Sequence, residues 1–227
     1  MRRAATVSAH VLVLALAALS FATPAAAADA PRPGARTLLL VRHGHYEAQE
    51  GVDPEVGLGL SERGREQASV TGRWLAALGV PVRAMVASSM TRARETAALA
   101  AAEMAGVTPV TDRDLRECGP PSGRRQYDDT PDEMAGCRVR LERAWARYAR
   151  PTAGGDSTDV LVCHGNVIRY FTQRAAGQPI GDWATLGTTH CGVTEILVRP
   201  DGTARLVSYN GSGHLPSRLV GWPPRAR

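Results

Sequence analysis

Lysine is absent: all 27 basic residues of this 227-residue chain are arginine. A basic balance carried by one residue type along the whole chain reads as a bias of composition rather than a nucleic-acid footprint. The arginines are scattered, not bunched in one tract with interleaved aromatics, so no nucleic-acid partner is expected. Aromatic residues are scarce at 5%, which excludes a core built on large rings, and burial must come from closely packed Ala, Val and Leu. The four cysteines, Cys118, Cys137, Cys163 and Cys191, lack any C-x-x-C spacing, which excludes the usual structural zinc patterns. The length suits one domain with a real core, not two independent ones.

What is present begins with Arg2-Arg3, an apolar run over 11–19 and the small residues Ala25 to Ala28. This order reads as a secretory signal cleaved after Ala28. It predicts a secreted or periplasmic protein with no stable membrane association after cleavage, a linker over 29–36 and one domain over 37–227. The alternative is an uncleaved anchor, since flanking alanines extend the run to about 18 residues. The net charge of +5 includes Arg2 and Arg3. Four cysteines in an oxidising compartment allow three full connectivities; Cys118 with Cys137 is the favoured bridge, and Cys163, at the end of an apolar run, reads as a buried thiol.

Further along, short apolar runs at 37–41, 84–87, 107–110 and 159–163 read as buried strands. Helical spacing follows Ser61 as far as Leu78, and recurs at 91–104, at 132–148 and from Gly165 to about Ala176. Residues 192–199 and 204–209 around Pro200-Asp-Gly202 read as a hairpin. The alternation predicts an α/β fold: a three-layer, doubly wound, mostly parallel sheet flanked by helices.

Ligands of such sheets bind beyond the carboxyl ends of the strands. One strand runs directly into Arg42-His43, another into His164, and a third leads within a few residues to Arg92, so these groups converge on one edge. A neutral imidazole is a competent nucleophile towards phosphorus, and Arg42, Arg92 and His164 supply the fixed positive donors that a transferring phosphoryl group requires. Glu117 is the candidate acid for the departing alkoxide.

Arg42-His43-Gly44, the segment from Ser88 to Thr96, Leu115-Arg116-Glu117, and the segment from Cys163 to Tyr170 together resemble, in order, the four blocks of the histidine phosphatase superfamily, also called phosphoglycerate mutase-like. Within it, the second and fourth blocks and the tail 198–202 are most similar to a mitochondrial branch that dephosphorylates protein serine and threonine, although that branch's tryptophan-rich assembly motif has no match. The resemblance implies a phosphatase with His43 and Glu117 as catalytic residues, Arg42, Arg92 and His164 binding phosphate, and neither metal nor organic cofactor. A phosphorylated small molecule or phosphoprotein is the implied substrate. Mutase-like members continue Arg-His-Gly with Glu and a nearby Asn; here His45-Tyr46-Glu47 follows, which favours hydrolysis.

Two other functions remain open from sequence: phosphoglycerate mutase-type transfer, and a non-catalytic phosphate- or phosphoprotein-binding module. No feature sets an oligomeric state. His45, His190 and His214 read as ordinary hydrogen-bonded loop histidines, Trp74 and Trp145 as packing anchors, and Arg138, Arg140, Arg143 and Arg147 as a solvated helix face.

Overall fold

Strand β2 (Arg36–Arg42) is hydrophobic on both faces, and it lies inside the sheet with a neighbour on either side. The computed structural model describes residues 32–49, 51–53, 56–120, 129–181 and 186–220; all lie in the unit Pro31–Arg227. The reading of 1–28 as a signal segment falls outside the described residues.

Six strands form the main sheet: β2, β3 (Val82–Ser88), β4 (Val110–Asp112), β6 (Ser157–Cys163), β7 (Val193–Val198) and β8 (Ala204–Gly211), in the order β4-β3-β6-β2-β7-β8. The first four of that order run parallel, whereas β7 and β8 are antiparallel additions from the hairpin. A separate two-stranded pair joins β1 (Pro33–Gly34) to β5 (Thr152–Ala153). The segment expected as linker is thus partly engaged, and Arg36 already opens β2.

Helices cover both faces. α3 (Pro131–Tyr148) and α4 (Gly165–Ala175) pack over Leu38, Leu40 and Leu161, and α1 (Glu62–Ala77) and α2 (Thr91–Ala101) pack over Leu39, Val41, Val160 and Val162. The alternation of consecutive residues between two cores is the period-2 rule of a strand buried on both sides. Aliphatic and alanine side chains dominate both cores, as the low aromatic content requires.

The ends follow local chemistry. Ser61 caps α1 by accepting from the Gly64 amide, and Thr130 with Glu133 forms a capping box ahead of Pro131 on α3. Leu78, where the helical spacing ends, is the C-cap of α1 and is exposed; Gly79 then turns the chain at φ 66°. Gly72 takes the inward position on α1, where a Cβ would lie 2.4 Å from the Ala100 carbonyl oxygen, so the two helices touch backbone to backbone.

The sequence places the third strand at 107–110, yet pairing starts at Val110. Pro109 has no N–H to give the ladder, and the strand forms after it, at the sheet edge. The basic run on α3 is more than a solvated face. Arg143 bonds Asp114 at 2.7 Å, and Arg147 pairs with both Asp112 and Asp114, which ties α3 to the turn at Arg113–Leu115. The Cys118–Cys137 bridge is present, with Cα atoms 6.0 Å apart, and Cys163 is a buried free thiol.

Candidate active site

The parallel pairing of β2 with β6 sets Arg42 beside Cys163 in register. The next residues, His43 and His164, therefore leave the sheet side by side, with ring centroids 5.0 Å apart. The His43 amide donates to the Cys163 carbonyl at 2.9 Å, extending the ladder one step and fixing the backbone of His43.

His43 is 2% exposed. Its Nδ1 lies 2.8 Å from the Gly44 carbonyl oxygen, which can only accept. Arg92 Nε, which can only donate, points to His43 Nε2 at 3.1 Å. Both partners require the same tautomer, with the proton on Nδ1 and a lone pair on Nε2. Burial holds the His43 pKa well below its ordinary value, and His164, Arg42 and Arg92 push it the same way, so the ring stays neutral.

Arg92 comes from the first turn of α2, where it is buried and lies 4.8 Å from the Tyr46 ring centroid. Arg42 donates from Nη1 to the Thr188 carbonyl at 2.5 Å, while its buried Nε has no partner. His164 is fully buried; its Nε2 meets Ser88 Oγ at 2.8 Å, and its Nδ1 has no partner. Ser88 Oγ also accepts from the Met90 amide at 3.3 Å and keeps both a second lone pair and its own proton, so it can donate to His164 Nε2 or accept from it, while burial keeps the ring neutral. Arg42 Nε, a donor, and His164 Nδ1 thus stand buried and unpartnered at the same strand ends.

Glu117 joins them from the segment after the Arg113–Leu115 turn. Its Oε1 accepts from the Cys118 and Asn166 amides at 3.1 and 3.2 Å. The second amide belongs to the start of α4, so the helix N-terminus holds Glu117 there. A Cβ on Gly165 would meet Arg42 Nε at 3.8 Å and Glu117 Oε2 at 3.9 Å, placing both around one small space. Burial raises the Glu117 pKa despite the opposing amides and the nearby Arg92 and Arg42.

Arg42, His43, Arg92, Glu117 and His164 are thus brought together by the ends of β2 and β6, the start of α2 and the loop after β4. His190, an ordinary loop histidine by sequence, has its ring 5.4 Å from that of His43; its buried Nε2 is unpartnered and burial lowers its pKa to about 3. Its position just before β7 was the available signal. His45, bonded to Ser61 at 2.8 Å, stands at the rim, whereas His214 stacks on Trp74 and bonds Thr71, away from the cluster. Ser88 was visible only as part of a motif, and the Thr188 carbonyl left no trace in the sequence. Among the described residues, no group of three or more His, Cys, Asp or Glu is arranged to hold a metal ion.

The histidine phosphatase superfamily (branch 1) matches residues 38–130 and 122–211. The chain belongs to this superfamily. It is 35% identical over 197 residues to the mitochondrial serine/threonine-protein phosphatase Pgam5 of Caenorhabditis briggsae, covering 82% of this chain and 66% of that one. The human protein of the same name is 33% identical over 192 residues, covering 80% and 64%. The chain therefore spans just under two thirds of the length of these relatives. The native structure of a mycobacterial glucosyl-3-phosphoglycerate phosphatase superposes with a TM-score of 0.61 at 23% identity, over 78% of this chain and all of the other. A Plasmodium falciparum phosphoglycerate mutase gives 0.56 at 23% identity, over 86% and 98%. At that identity, these two likenesses bear on the fold alone.

The relatives correct one expectation. They are mitochondrial proteins by name, which overturns the reading of 1–28 as a secretory signal and of the chain as secreted or periplasmic. Residues 1–28 carry two arginines and no acidic residue, a composition shared by leaders with different destinations, so it does not encode the address.

Proposed function

We propose that this chain is a phosphatase that hydrolyses phosphate monoesters through a covalent phosphohistidine on His43, without a metal ion or organic cofactor. The observation that carries the reading is the state of His43: buried, neutral, its Nδ1 proton held by Gly44 and its Nε2 lone pair facing Arg92.

In the first step, His43 Nε2 attacks phosphorus and the ester P–O bond breaks, with Glu117 giving its proton to the leaving oxygen. The arriving phosphoryl group exchanges the Arg92–Nε2 hydrogen bond for bonds to its own oxygens, and Arg42 Nε together with His164 Nδ1, protonated when Ser88 donates to Nε2, completes the cradle. In the second step, ionised Glu117 takes a proton from water, the oxygen attacks phosphorus, the P–N bond breaks and phosphate leaves. The raised Glu117 pKa serves the first half-reaction, and the low His43 pKa keeps the nucleophile available.

The named activity of the relatives supports a phosphorylated serine or threonine in a protein as substrate, with small phosphate esters meeting the same phosphoryl cradle. Groups around the cradle, among them His45, Tyr46 and His190, read the rest of the substrate.

Incubation with an aryl phosphate and excess chelator, beside a His43→Ala variant, tests the proposal. Turnover that survives chelation and falls by about a thousandfold or more in the variant is expected. Undiminished turnover in His43→Ala contradicts it.

A further inference from the structure

A second polar cavity, of about 420 Å³, lies among Arg36, Arg83, Arg150 and the loop from Gly154 to Ser157. Its size falls in the small-molecule range of about 300–1,000 Å³. Arg36 pairs with Ser157 in register at the start of β2 and β6, and the same two strands end at Arg42 and Cys163. Six residue steps at about 3.3 Å each put the two ends about 20 Å apart, so this cavity is separate from the cluster around His43.

Its charges do not balance. Asp159 is 1% exposed and receives Arg83 through Nε at 3.0 Å and Nη2 at 2.5 Å. Arg36, itself only 5% exposed, reaches the same carboxylate and the Tyr148 carbonyl at 3.4 Å each, both long contacts. Its Nε has no acceptor, and the buried Ser157 Oγ in the same lining has no partner. Asp159 itself lies behind the lining; the carboxylate in the lining, Asp156, is exposed and has one oxygen bonded to the Ala35 amide at 2.8 Å. Three lining guanidiniums thus have one lining carboxylate and the buried Asp159 between them, and a buried guanidinium N–H is left unsatisfied, a state that proteins avoid unless an acceptor arrives. Gly155, at φ 114°, has nothing within 4 Å of where a Cβ would stand, so the mouth is open.

We propose that this cavity is a second oxyanion site, taking a phosphate-class anion, free or as the head of a small ester. Arg36 Nε, the Ser157 hydroxyl and the Arg150 guanidinium supply its donors, from three segments of the chain. Donors that converge from separate segments suit a tetrahedral oxyanion better than a planar carboxylate, which one guanidinium fork would satisfy.

Calorimetric titration of the full chain with inorganic phosphate, and separately with glycerol 3-phosphate, tests this. Arg92→Ala weakens the cradle at His43, so binding that remains in that variant reports the second cavity. One equivalent is expected to remain in Arg92→Ala, to weaken at least tenfold on adding Arg150→Ala, and to weaken also with Ser157→Ala. Arg150 is exposed, and an unchanged thermal midpoint without phosphate shows that its variant is folded. Tighter binding of glycerol 3-phosphate than of inorganic phosphate assigns the site to an ester, and the reverse assigns it to the free anion. No binding of either by the Arg92→Ala protein, or equal affinity with and without Arg150, overturns the proposal.

Discussion

At the scale of single residues, function rests on which protons are held where. Glu117 is pushed towards its acid form by burial, while two backbone amides still fix its position. Glu117→Gln is expected to lower kcat by about a hundredfold to ten-thousandfold on an alkyl phosphate, whose leaving group needs a proton, and far less on an aryl phosphate. The same variant should remove the decline of activity as pH rises through the elevated Glu117 pKa; a pH profile on both esters checks both points. In the proposed cradle Ser88 is a positioning residue: its hydroxyl donates to His164 Nε2, which leaves the ring proton on Nδ1. Ser88→Ala should lower kcat by about ten- to a hundredfold, with Ser88→Thr restoring much of it, and steady-state kinetics of the pair decide the matter. Sequence exposed His43, His164, Arg42 and Arg92 because each sits where a strand or helix ends. It hid Ser88, Thr188 and His190, whose roles depend on contacts across 76, 146 and 147 residues of chain.

Among elements, the loop after β4 carries Glu117, the proposed acid, and α3 restrains that loop. The Arg143 and Arg147 pairs with Asp112 and Asp114 join α3 to the segment just before Glu117, and the Cys118–Cys137 bridge joins it to the residue just after. Breaking the bridge with Cys137→Ser should cost about 3 kcal/mol, given a separation of 19 residues, and urea unfolding with and without a reductant measures it. A serine variant insensitive to reductant beside a sensitive parent is the expected pattern. The elements themselves were legible: apolar runs of strand length alternate with capped helical segments. Their edges were less so, because Pro109 shifts β4 and because the β1–β5 pair has only two residues per strand. Pairings that short leave no period to read.

For the whole molecule, gathering neutral histidines in one buried place makes folding sensitive to acid. His43 and His164 are held well below their ordinary pKa, and His190 falls to about 3. Above about pH 6.5 these rings are neutral in both folded and unfolded chains and contribute no pH dependence. Below it the unfolded chain binds protons that the folded one refuses, so stability declines as pH falls towards the folded values. The two fully buried rings, His43 and His164, each contribute up to about 1.4 kcal/mol per pH unit, with the raised Glu117 pKa acting the opposite way above its ordinary value. Urea midpoints at pH 7.5 and 5.0 should therefore differ, with the lower midpoint at pH 5.0; equal midpoints would contradict a neutral buried cluster. The α/β architecture and the gathering point at the strand ends were readable from sequence, because both follow from strand order and the residues placed directly after each strand.

The central claim is that the phosphoryl group passes through His43. Rapid quenching in base after mixing with a radiolabelled phosphate ester, followed by peptide mapping, tests it most directly. One acid-labile, base-stable label is expected on the peptide containing His43, appearing before free phosphate and absent from His43→Ala. Turnover with no label on that peptide, under conditions that preserve a control phosphohistidine, would contradict it.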